Sequence, residues 1–144
     1  MALHGIALEA TKDFQSSFDP DIGTPSATTF KLRTLDSRVM GYLRDKFTKF
    51  TRSISDPDDD AASTQVNVNE VAFEAAQFGI ETITNFKDGG GNDIEMKTKV
   101  MRLGGKPYKV IDADIIRRLD TRILLEIYRE LTTFNQLTEA EAKN

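Results

Sequence analysis

The chain has 144 residues, of which 39% are hydrophobic, 29% charged and 8% aromatic, with a formal charge of -4 at pH 7. That length suits a single domain with a modest core. Without cysteine it has no disulfide framework, thiolate metal site or cysteine nucleophile, and its one histidine, His4, removes most histidine-based metal sites and triads within one chain.

Residues 1–27 read as an extended N-terminal arm. Phe14 and Phe18 stand among Ser16, Ser17, Asp19-Pro20-Asp21, Gly23, Thr24-Pro25 and Ser26, which favour turns over a regular element. Such an arm is either loose or lays Phe14 and Phe18 on its own domain or on a neighbour. On this reading, deleting it leaves the domain folded and weakens assembly.

Residues 28–144 form the domain. Residues 28–35 alternate, with Phe30 and Leu32 against Lys31 and Arg33, and predict a half-buried strand. Asp36 sits as an N-cap before a helix over 37–51, whose stripe is Val39, Leu43, Phe47 and Phe50 with Met40 beside it. Residues 53–63 are a loop by composition. The alternation of Val66 and Val68 predicts a strand over 64–69, followed by a helix to about Asn85 with Ala72, Ala76, Gly79, Ile80 and Ile83 in its stripe. Gly89-Gly90-Gly91 marks a turn, and Gly104-Gly105 joins two strands of a hairpin over 94–111, with Pro107 restricting the second to a short or edge position. Asp112 or Asp114 caps a short helix, Asp120 opens a longer one with Leu124, Ile127, Tyr128 and Leu131, and Thr138-Glu-Ala-Glu141 resembles a capping box for a last turn. The result is an α+β fold: one short antiparallel sheet of the hairpin 94–111 and strands 28–35 and 64–69, packed by helices.

Residues that suggest chemistry are better read as structure. Asp56, Asp58, Asp59 and Asp60 lack the alternate spacing, glycine and terminal glutamate of a calcium loop, and form a solvated acidic loop. Both glycine groups lead into strands, not helices, so neither is a phosphate cradle. Asp112, Asp114 and Asp120 suit helix starts, no nucleophile elbow is present, and His4 is incidental. No catalytic, cofactor or metal residue is expected, and an enzyme is disfavoured. Two basic segments remain: Lys31, Arg33, Arg38, Arg44, Lys46, Lys49 and Arg52, then Lys97, Lys99, Arg102, Lys106 and Lys109. They are solvated faces, complements to an acidic surface, or, if they share a face, a phosphate-backbone site. The acidic balance and the lack of a stacking or recognition-helix signature disfavour nucleic acid. No apolar run reaches the roughly 18 to 20 residues of a membrane span, and the N-terminus lacks the basic region of a signal peptide, so neither is expected.

Gly23-Thr-Pro-Ser-Ala-Thr-Thr-Phe-Lys-Leu, with Leu35-Asp36-Ser37, resembles the opening of small morphogenesis proteins of tailed bacteriophages. Val71-Ala-Phe-Glu-Ala-Ala-Gln-Phe-Gly-Ile and Asn85-Phe86-Lys87-Asp88 before a glycine turn are similar to their central block, often preceded by a tryptophan that this chain lacks. Arg102-Leu-Gly-Gly-Lys-Pro-Tyr-Lys-Val and Leu137-Thr-Glu-Ala-Glu-Ala-Lys-Asn extend the likeness over most of 23–144. The resemblance implies a tail assembly chaperone, which coats the tape measure protein and recruits tail tube subunits, or a multi-copy virion component in the tail, neck or capsid. Either is a non-enzymatic, cofactor-free role in protein–protein contact, in the host cytoplasm during assembly or in the virion, with a homo-oligomer expected on assembly. The residues expected to touch partners are Phe14 and Phe18 on the arm, then Arg38, Arg44, Lys46 and Lys49 facing acidic surfaces such as Asp58, Asp59 and Asp60 of a neighbour.

Overall fold

The computed structural model describes residues 5–53 and 61–143, with side chains over 5–47 and 68–136. It is an α+β fold whose elements are β1 (Thr11–Phe14), β2 (Thr29–Arg33), α1 (Ser37–Ser53), α2 (Ala61–Gly79), β3 (Ile80–Thr84), β4 (Thr98–Leu103), β5 (Lys106–Ile111), α3 (Ala113–Ile116) and α4 (Thr121–Lys143). Among the described residues no helix is long and apolar enough to cross a membrane.

Among the described residues there are two antiparallel sheets, where one was expected. β1, β2 and β3 form the first, with β2 central, and β4 and β5 form the second. The alternation of β2 buries Phe30 and Leu32 and leaves Lys31 outside, where it pairs with Glu81 at 3.3 Å. Glu81 is skipped in the pairing, since Lys31 faces Thr82 and Leu32 faces Ile80; this bulge bends β3 as it leaves α2.

The strand expected over 64–69 is helix instead. Six alternating residues are too few to outweigh a longer pattern. Val68, Val71, Ala72, Ala75, Ala76 and Gly79 repeat at i, i+3, i+4, i+7, i+8 and i+11, and the last five are buried. The same helix ends at Gly79, six residues before the expected Asn85. Ile80-Glu-Thr-Ile-Thr is rich in β-branched residues and becomes β3, burying Ile80 and Ile83. At Gly79 α4 approaches so closely that a Cβ there would stand 2.5 Å from both Leu131 methyls.

The hairpin matches its expected turn. Gly104 and Gly105 have φ of +55° and +83°, the left-handed pair that a tight two-residue turn needs. Its first strand begins later than expected, at Thr98. Asp112, not Asp114, caps α3: its side chain accepts from the Asp114 amide at 2.9 Å. Asp36 caps α1, accepting from the Val39 amide at 2.9 Å. α4 runs to Lys143 with no new start at Thr138, as no breaker precedes that threonine. Along it Leu124, Ile127, Leu131 and Phe134 are buried, and the first three join Leu35, Val39 and Leu43 with the α2 alanines in one core. Phe47, expected in that core, is 41% exposed, because α1 carries its stripe beyond the layer that covers Leu43.

Candidate protein-interaction site

Three surfaces bear most of the residues that sequence reasoning singled out. The first is the arm, and it is more structured than expected. Residues 11–14 form β1, paired along β2 from Thr11 with Arg33 to Phe14 with Phe30, and the Phe14 and Phe30 rings lie 6.2 Å apart. Beyond β1 the arm runs along α4. Arg122, Glu126 and Glu130 recur at i, i+4 and i+8, so they fall on one face of that helix. Lys12 pairs with Glu130. Ser16 Oγ donates to Glu126 at 2.5 Å, and the Ser17 amide donates to the same carboxylate at 3.2 Å. The Arg122 guanidinium lies 4.6 Å from the centre of the Phe18 ring. Burial would raise the Glu126 carboxyl, but the hydrogen bonds from Ser16 and Ser17 outweigh it and hold the group below its ordinary value.

Asn85 closes the far end of the arm. It stands at φ +59°, a conformation that asparagine tolerates better than most residues, and its amide donates to the Pro25 carbonyl at 3.0 Å. Asp19 accepts from the Thr28 amide at 2.8 Å. Phe14 is therefore half-buried on its own domain, whereas Phe18 is 48% exposed and Ile22 is exposed near it in sequence. Neither Glu126 nor Asn85 stood out in the sequence. Asn85 lay within the quoted Asn85-Phe86 motif; Glu126 was one acid among many.

The second surface joins the two basic segments at the hairpin. Arg33, buried enough to sit below its ordinary pKa, donates from Nε to the Phe78 carbonyl at 2.8 Å and from Nη2 to the Lys109 carbonyl at 2.5 Å. The Arg38 guanidinium lies over Gly104, leaving no room for a Cβ. Asp36 receives Tyr108 Oη at 2.7 Å and pairs with Lys106 at 3.3 Å. Burial pushes the Asp36 carboxyl up, and the Val39 amide, Tyr108 and Lys106 more than reverse that. Lys106 and Lys109 thus share a shallow hollow with Arg33, Asp36, Phe78 and Tyr108.

Arg44 and Lys46 lie away from this group. Arg44 edges a groove between α1 and α4 with Met40 and Thr132. Lys46 belongs to the third surface, a cleft of about 440 Å³ where Phe73 and Leu124 form the apolar lining and Glu70, Glu74 and Gln77 stand around it. Its volume falls within the roughly 300–1,000 Å³ of ordinary binding clefts. Lys46 reaches Glu74 at 2.6 Å, and Tyr42 Oη donates to the other Glu74 oxygen at 3.0 Å. Burial would lower the Lys46 ammonium, but its bond to Glu74 keeps it above its ordinary value. Gln77 is fixed by donating to the Ile111 carbonyl at 3.2 Å. The cleft is hence mostly apolar, with polar groups held in place at its rim. Lys49, Asp58, Asp59 and Asp60 lie outside the residues whose side chains are described, so the predicted contact of Arg38, Arg44, Lys46 and Lys49 with that acidic run of a neighbour has no geometry here.

Among the described residues no group of three or more histidine, cysteine, aspartate or glutamate side chains is gathered as metal ligands would be. The chain matches no protein-family model, no curated protein and no solved structure.

Proposed function

We propose that the chain is a non-enzymatic bacteriophage assembly protein acting through protein–protein contacts in tail or virion morphogenesis, in the manner of a tail assembly chaperone. The observation that supports this most is the cleft over Phe73 and Leu124. An open apolar trough rimmed by Lys46, Glu70 and Glu74 suits an amphipathic helix, which would lay apolar anchors on Phe73 and set its polar flank against those charges. The tape measure protein, a long helical chain, is the partner this reading assigns to it. A second reading, a multi-copy subunit retained in the virion, draws on the arm: it is laid along α4 and presents Phe18 and Ile22 outward, as an anchor for a neighbouring subunit would be.

Quantitative mass spectrometry of purified virions and of infected-cell lysate, from the phage whose genome encodes the chain, separates the two. A transient chaperone is abundant in lysate and missing from particles. Many copies per particle make it a structural subunit. Absence from both would remove the phage reading altogether.

A further inference from the structure

The two strands of the hairpin leave their outer edges in different states. The Gly104-Gly105 turn makes Leu103 and Lys106 the closing hydrogen-bonded pair, so the backbone groups of Lys99, Met101 and Leu103 face β5. Those of Thr98, Val100 and Arg102 face away. On β5 the outward positions are 107, 109 and 111. Pro107 brings no N–H there, the Lys109 carbonyl accepts from Arg33, and the Ile111 carbonyl accepts from Gln77. β4 has no such cover: its sheet ends with it, and among the described residues nothing bonds the outward backbone groups of Thr98, Val100 and Arg102.

Side chains on this edge have a consistent character. Val100 is 64% exposed and faces Lys109 across the strands, while Arg102 faces Pro107. Lys97, Lys99, Arg102, Lys106 and Lys109 are all exposed, with no acid between 97 and 109. Lys99 and Lys106 have carboxylate partners, Asp112 at 3.6 Å and Asp36 at 3.3 Å, but keep much of their surface in solvent.

We propose that the β4 edge accepts an extended acidic segment of a partner protein as an added strand. The unpaired backbone groups would bond it along its length, Val100 would meet an apolar residue, and the surrounding cations would select for acidic ones. Pairing β4 of two copies would instead bring two groups of five cations together, of which, among the described residues, only Lys99 and Lys106 pair with a carboxylate. Nucleic acid has no peptide groups to complete the ladder, and the outer face of the hairpin carries no aromatic ring for base stacking. The inference rests on the contact-making role proposed above and adds the chemistry of one partner.

The test is amide hydrogen exchange by NMR on the full chain with the acetylated, amidated heptapeptide Val-Val-Asp-Asp-Val-Val-Asp, which carries both residue types on each face of a strand and so can set valine against Val100 and aspartate against Arg102. The expected result is at least tenfold slower exchange at Thr98, Val100 and Arg102, with little change at Lys99 and Met101, whose amides already serve β5. Val100→Pro, which removes an outward N–H, should abolish the effect. Arg102→Glu combined with Lys109→Glu changes only exposed side chains; it should weaken binding at least tenfold and decides the matter if the proline variant does not fold. The proposal is overturned if the peptide fails to bind at millimolar concentration or binds without this alternating protection. Equal binding of a lysine–valine peptide overturns it too, as does the same protection produced by oligothymidylate. Protection that grows with protein concentration alone would assign the edge to a second copy instead. None of these outcomes involves the cleft or the virion, so failure here is distinct from failure of the assembly role.

Discussion

Gly79 and Leu131 hold α2 against α4 and thereby set the separation of Phe73 and Leu124 across the cleft. Gly79→Ala would place a methyl 2.5 Å from Leu131 Cδ1 and Cδ2, where carbon atoms rest at roughly 3.5–4.0 Å. Leu131 is fully buried and cannot swing into solvent. Overpacking of this kind costs about 1–3 kcal/mol, against which alanine recovers about 0.5–1 kcal/mol of helix preference over glycine. The net expectation is a loss of about 1–2 kcal/mol. Leu131→Ala alone opens a cavity and costs about 2–5 kcal/mol. In the double variant the new methyl meets empty space, so Gly79→Ala becomes neutral or stabilising in that background. The two changes should then depart from additivity by about 2 kcal/mol, far beyond the roughly 0.3–0.5 kcal/mol scatter of independent sites. Urea denaturation of the four proteins, followed by circular dichroism, measures it. Additive losses, or a harmless Gly79→Ala in the native background, would refute the close-packed junction.

Other expectations follow from the same contacts. Glu126→Gln should lower thermal stability at neutral pH, and the gap from the parent should close in acid. The folded carboxyl titrates below its ordinary value, so its contribution is complete above the unfolded value and is lost as pH falls through the folded one; melting temperatures across the acid range report it. Deleting residues 1–27 should lower the melting temperature of what remains, because it strips β1 from β2 and the Lys12 and Ser16 contacts from α4. An unchanged melt would restore the picture of a dispensable arm. Gly104→Ala should cost about 1–2 kcal/mol from the left-handed backbone alone, and Arg38→Ala should return whatever further loss comes from crowding; equal losses in both backgrounds would mean that the guanidinium does not restrain the turn.

What the sequence made legible were elements whose pattern is local. β2, the Asp36 cap and the Gly104-Gly105 turn each depend on residues a few positions apart, and each formed where expected. The α2–β3 region was misread because two periods overlap there: Thr-Gln-Val-Asn-Val-Asn alternates within a helix, and the helical spacing continues in the sequence through Ile80 and Ile83, which belong to β3. Only the pairing of Ile80–Thr84 with β2, about fifty positions earlier in the chain, distinguishes a helix end from a helix interior. The arm was read from turn-forming residues, yet its order comes from Glu126, Glu130 and Asn85, partners that no local pattern points to. The same holds for the candidate site. Lys46 was visible as a cation, but Phe73, Glu74 and Leu124 gather around it through packing of helices distant in sequence. Arg33 and Arg38 meet the hairpin because Asp36 and Tyr108 join the start of α1 to it, while Arg44 and Lys46 lie elsewhere.

The most direct measurement of the central claim is site-specific photo-crosslinking from position 73, with a benzophenone amino acid replacing Phe73, in cells infected by the phage that the proposed function names as the source of the chain. The account predicts one dominant adduct, with a tail protein carrying an amphipathic helix, and its loss when Lys46→Glu reverses the charge at the cleft rim. Adducts spread over unrelated host proteins, or none while the same probe at an exposed position of the arm captures a partner, would contradict it.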